Sequence, residues 1–75
     1  MAQDVWVLME ADGESQRHFL AACASLEACE RALDDEGVDT TRYLRLTHAV
    51  GRHEVWRHGD TGRVDYVARR VSVKG

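Results

Sequence analysis

Asp4-Val5-Trp6-Val7-Leu8-Met9-Glu10-Ala11-Asp12-Gly13-Glu14-Ser15-Gln16-Arg17-His18-Phe19-Leu20-Ala21-Ala22-Cys23-Ala24-Ser25 is the stretch on which the fold turns. Its first part, residues 4–11, is β-branched and aromatic and predicts a strand. Apolar side chains fall on both faces of that strand, as suits an inner position in a sheet. Asp12-Gly13 is the favoured pair for a tight hairpin turn, because both central residues of such a turn need positive φ. Two readings of residues 15–35 are open. In one, residues 16–24 are the return strand and Phe19 lies opposite Trp6 as a stabilising aromatic pair. Ser25 then caps a helix over 26–36. In the other, a single helix runs over 15–35, since Phe19, Cys23, Leu26, Cys29 and Leu33 also keep helical spacing. The hairpin is preferred, because the Asp-Gly turn and the Ser25 cap each have a local physical reason.

Outward from that stretch, Leu26, Cys29, Ala32 and Leu33 form one apolar stripe of a helix. Glu27 stands in its first turn, where the helix dipole favours a carboxylate, and Glu27 and Arg31 are spaced as an i,i+4 pair. Gly37 ends the helix and lets Val38 fold back on it. The second half alternates as strands do. Residues 43–50 put Leu44, Leu46 and Val50 on one side and Tyr43, Arg45 and Thr47 on the other. Gly51-Arg52 marks a turn, and 53–58 is a strand carrying Val55 and Trp56. Gly59-Asp60-Thr61-Gly62 is a hairpin loop. Residues 63–73 form the last strand, with Val64, Tyr66 and Ala68 in phase, then Val71 and Val73. The slip at Arg69-Arg70 predicts a β-bulge. The expected fold is α+β: a mostly antiparallel sheet of four to five strands, ordered ββαβββ or βαβββ, with one helix packed on one face.

Seventy-five residues make one domain, 1–75, with a thin core and little room for a deep cleft. Composition is that of a globular chain, 44% hydrophobic and 31% charged. The apolar run at 5–9 is too short for a signal-peptide core or a membrane span, so the expected location is the cytoplasm and no membrane partner is expected. Cys23 and Cys29 then read as two small buried hydrophobes.

Val5-Trp6-Val7-Leu8, the run from Ser25 to Leu33, Glu54-Val55-Trp56 and the closing Tyr66-Val67-Ala68-Arg69-Arg70-Val71-Ser72-Val73 give the chain its layout. In that layout it resembles a loose set of small uncharacterised proteins from actinobacteria and their phages. The resemblance implies an early hairpin, then a helix, then further strands. It implies no activity, ligand or functional residue. A basic set of nine arginines and one lysine also suits a GC-rich genome.

Charge is divided along the chain. Residues 1–39 hold ten acidic and two basic groups, and residues 40–75 hold three acidic and eight basic groups, which together give the net −3. Such asymmetry can be satisfied inside one fold, between copies, or by a partner. Arg42, Arg45, Arg57 and Arg63, interleaved with Tyr43, Trp56 and Tyr66, could grip phosphates and stack bases. The net negative charge and the alternation of the arginines over both strand faces weigh against this. His18, His48, His53 and His58 with Cys23 and Cys29 match no zinc spacing, so no metal or other cofactor is expected. The loop at 59–62 lacks the lysine and helix of a phosphate-binding loop, and the cysteines lie in apolar stretches where thiols are inert. No catalysis is expected. By elimination the chain reads as a protein-interaction module, working as a homodimer. Its candidate contact residues are acidic (Glu27, Glu30, Asp34, Asp35) or basic and aromatic (Arg42, Arg45, Trp56, Arg57, Arg63). The main alternative is a phage or mobile-element accessory protein whose acidic surface blocks a host nucleic-acid-binding machine. A third is a weak nucleic-acid binder acting through the arginine-rich sheet.

Overall fold

The computed structural model of the chain describes residues 2–12, 15–47 and 53–74. Five strands and one helix succeed each other as β1 (Ala2–Asp12), β2 (Ser15–Cys23), α1 (Leu26–Asp35), β3 (Tyr43–Thr47), β4 (His53–His58) and β5 (Val64–Lys74), with a short 3₁₀ turn at Thr40–Arg42 before β3. The strands form one sheet in the order β2-β1-β5-β4-β3, every neighbouring pair antiparallel. This is the expected α+β fold in its ββαβββ form. β1 lies inside the sheet, as its two apolar faces require, and pairs with the last strand without a register shift from Ala2↔Lys74 to Glu10↔Tyr66.

Residues 15–23 are strand, so the single-helix reading of 15–35 is overturned. Ser25 is the reason the helix starts where it does: it is extended, and its Oγ accepts the Ala28 N–H at 3.1 Å. The helix stops just as locally. Gly37, at φ +84°, lets its own N–H reach the Asp34 carbonyl and the Val38 N–H reach the Leu33 carbonyl, each at 3.0 Å. Val38 then packs against the core.

Two details of the expected sheet are corrected. Trp6 does not face Phe19. Asp12 pairs with Ser15, which places the reversal one residue later than a turn centred on Asp12-Gly13. Two register shifts then each add a residue to β2. Trp6 therefore opposes Cys23, and Phe19 opposes Met9. Gly13, and with it the turn, lies outside the described residues, as do Val50 and the Gly51-Arg52 turn. The bulge expected at Arg69-Arg70 is absent: β5 runs past β1 in unbroken register there, and its one irregularity, against β4, falls between Tyr66 and Val64. The apparent slip in apolar phase is a change of face: Tyr66 and Ala68 stand on the side of α1 and Val71 on the side turned away from it, with the alternation along β5 unbroken.

The core lies between the sheet and α1. Leu8, Cys23, Trp56 and Ala68 from the sheet meet Cys29 and Leu33 from the helix in one buried cluster. The helix sits mainly over β2 and β1. Beyond its reach, the α1 side of β3 is polar, and α1 is tied to it by an ion pair from Arg45 Nη1 to Glu30 Oε1 at 2.7 Å.

Candidate interaction surface

Because side chains alternate along each strand, everything out of phase with Leu8, Trp56 and Ala68 points away from α1. Among the described residues no helix covers that second face. Register makes its composition explicit. Phe19 pairs with Met9, Met9 with Val67, Val67 with Val55, and Val55 with Leu46. One row of five apolar side chains thus crosses all five strands. On one side of it stand Leu44, Arg57 and Val64, and on the other Ala22, Val7, Arg69 and His53. Val5 and Val71 come in the next row. Among the described residues, the four large apolar side chains that the fold leaves most exposed are Phe19 (64%), Leu44 (54%), Val71 (41%) and Leu46 (39%), and all four lie on this face. Phe19 and the pair Leu44 and Leu46 stand on the two edge strands, and the half-buried Met9 and Val55 and the buried Val67 join them across the face. Apolar residues aligned on one face, unlike scattered ones, point to an interaction site.

The charged residues singled out from the sequence are placed quite differently. Arg45 and Glu30, expected on separate partner surfaces, meet each other. Arg45 Nε also lies 3.7 Å from Glu54 Oε1, and that buried carboxylate accepts the Thr47 hydroxyl at 3.0 Å. Arg42 pairs with Asp39 and Arg63 with Asp12. Of the four candidate arginines, Arg57 alone stands on the open face. Trp56 is 2% exposed, at the centre of the core, and so contributes packing rather than contact. Tyr43 and Tyr66 are on the α1 side as well, their ring centroids 5.6 Å apart edge to face, with the Tyr43 hydroxyl donating to Asp65 at 2.9 Å. Glu27, Asp34 and Asp35 stay exposed along α1, and Glu27, Glu30 and Asp34 line a shallow groove with Arg31 and Thr40.

Burial shifts the pKa values of three groups around the core. Cys29 is pushed up to about 12, by desolvation first and then by the neighbouring Cys23 thiol, so it carries no thiolate at neutral pH. Tyr43 is raised to about 12 by burial and by Asp65, and Tyr66 is raised by burial first. His58 Nδ1 accepts the Asp60 N–H at 3.1 Å and so braces its own hairpin loop. Among the described residues, no group of three or more His, Cys, Asp and Glu could hold a metal ion. No helix there is long and apolar enough to cross a membrane.

The row from Phe19 to Leu46 is not legible in the sequence. The alternation of Leu44 and Leu46 against Tyr43, Arg45 and Thr47 is visible there, but alternation does not say which side meets the helix. Comparisons with protein-family models, with curated proteins and with solved structures returned no match.

Proposed function

We propose that the chain is a protein-interaction module without catalytic activity of its own, that it works as a homodimer, and that its contact surface is the sheet face turned away from α1. One observation carries this reading: among the described residues, the four large apolar side chains left exposed by the fold share that single face. Removing apolar surface from water contributes roughly 25 cal/mol per Å², so a face of this kind is a standing source of association free energy. Nucleic-acid binding has less support. The aromatics that would stack bases, Tyr43, Trp56 and Tyr66, belong to the α1 side, and three of the four arginines considered for it, Arg42, Arg45 and Arg63, are held in pairs with carboxylates of the same chain.

The test is the mass in solution by light scattering, at low and high salt, with and without mixed DNA and RNA. A mass above the 8.5 kDa of one chain that resists salt is the expected result. A mass that rises only with nucleic acid at low salt would overturn it. A second reading has its own observation. Among the described ion pairs none engages Glu27, Asp34 or Asp35, so the outer side of α1 is open to a basic partner, as an accessory protein that inhibits a host nucleic-acid-binding machine would require. Charge reversal at Glu27 and Asp34 would abolish such binding and leave self-association intact.

A further inference from the structure

We infer that the occupant of the open face is a second copy of this chain, packed sheet on sheet about a two-fold axis, so that the assembled particle has four layers with an α1 helix on each outer side. The inference rests on the proposed interaction role and adds the packing, one open face against the other about a two-fold axis.

Three observations lead to it. The first is that the edges are poorly suited to pairing. β2 carries two register shifts along its length, and Arg45 stands in the middle of β3. Irregular and charged edge strands are how sheets avoid adding a strand from another chain. The association surface is therefore a face, and α1 already covers one.

The second is size. The molecule measures 41 × 27 × 19 Å. The 42 residues of the described strands, at about 3.3 Å along and about 4.8 Å across the sheet, make a face of roughly 670 Å². That is of the order of the about 800 Å² each partner buries in a standard stable interface. A second sheet laid about 10 Å away would cover the apolar row from end to end.

The third is need. Among the described residues the buried cluster against α1 holds six hydrophobic side chains, one of them an alanine, and on the other face only Ala11 and Val67 are buried, while Phe19, Leu44, Leu46 and Val71 stand in water. Domains of this size are short of buried apolar surface, and oligomerisation is one of the ways the deficit is met. A second copy is the one partner present whenever the chain is. The two arginines of the face do not oppose this. Arg57 and Arg69 lie on opposite sides of the apolar row, and their stems can lie along it while the guanidinium groups reach the rim. Arginine is enriched in such interfaces.

The test is sedimentation or light-scattering mass of the whole chain at sub-millimolar concentration, for the wild type and for Phe19→Lys and Leu46→Lys, the two ends of the row. Both positions are exposed in the single chain, so unchanged far-ultraviolet circular dichroism is expected, and Leu44→Lys, more exposed than Leu46, serves if Leu46→Lys fails to fold. The expected result is a salt-resistant dimer whose dissociation constant rises at least about tenfold in each variant, since each substitution removes two buried apolar contacts per dimer. Glu27→Gln with Asp34→Asn is expected to leave the dimer unchanged. A dimer indifferent to Phe19→Lys and Leu46→Lys, or one broken by the acidic-site variant, would overturn the sheet-on-sheet arrangement and the open face as contact surface, while the homodimeric interaction role survives. A wild-type monomer would sink both.

Discussion

At the residue scale, the behaviour of single side chains is set by what surrounds them. Trp56 is nearly fully buried in the cluster that holds Leu8, Leu33 and Ala68. Trp56→Ala is expected to lower stability by about 3–5 kcal/mol in urea denaturation, a large part of what a domain this small has. Tyr43 and Tyr66 give a pH prediction with a definite sign. Both phenols are raised by burial first, and Tyr43, helped by the Asp65 carboxylate that its hydroxyl faces, reaches about 12 from an ordinary 10. A group whose folded pKa lies above its unfolded value contributes fully below the unfolded pKa, and that contribution is lost as pH rises through the folded one. Stability is therefore expected to fall between pH 10 and about 12. Phenolate absorbance in a native titration should lag behind that of the denatured chain across the same window, and coincident curves would refute the burial of both rings. Asp65→Asn moves Tyr43 only part of the way back, because desolvation remains. Both the burial and the Tyr43–Asp65 contact were hidden in the sequence, since the partners are 22 residues apart and meet only through the β3–β4–β5 register.

At the scale of elements, what was legible is what is local. Ser25 and Gly37 bound α1 by hydrogen bonds within three to five residues, so both ends of the helix could be read from the chain. Ser25→Ala is expected to cost about 1 kcal/mol by loss of the bond to the Ala28 N–H. Gly37→Ala has open space for its Cβ, so its cost is purely the positive φ, about 1–2 kcal/mol. Equilibrium unfolding of the two variants checks both, and a neutral Gly37→Ala would show that the left-handed turn does not constrain the helix end. What was not legible is register. The later reversal and two extra residues in β2 together move the partner of Trp6 from Phe19 to Cys23, and nothing in residues 15–23 announces where a strand will bulge. The bond between α1 and β3 was equally invisible: Glu30 and Arg45 looked like opposite ends of a divided charge distribution and are in fact a contact between elements. Because Arg45 also neutralises the buried Glu54, Arg45→Met should destabilise by roughly 1–3 kcal/mol, and Glu54→Gln added to it should restore part of the loss. Additivity in that double-mutant cycle would mean the network carries no coupling.

At the scale of the whole molecule, composition announces amounts and the fold decides directions. The apolar content of β1, β3, β4 and β5 was plain, yet which half of each alternation turns toward α1 depends on long-range pairing, above all of the first strand with the last. The divided charge was the most conspicuous property of the chain, and much of it is satisfied internally: Asp12 by Arg63, Asp4 by Arg70, Glu30 and Glu54 by Arg45, Asp39 by Arg42. The property that distinguishes the surface is instead a face of ordinary strand residues, Phe19, Met9, Val67, Val55 and Leu46, made conspicuous only by lining up. If a second copy covers that face, folding and association are one equilibrium, and stability must depend on protein concentration. A tenfold rise in concentration then adds about 1.4 kcal/mol to the folded dimer. Shared over two chains of this length, that raises the thermal midpoint by a few degrees, on the order of 3–5 °C. Phe19→Lys should flatten the dependence while leaving the α1 side of the sheet, where Leu8 and Trp56 pack, untouched. Calorimetric midpoints that do not move with concentration in the wild type would mean that this small core is sufficient by itself and that its bare face serves some other purpose.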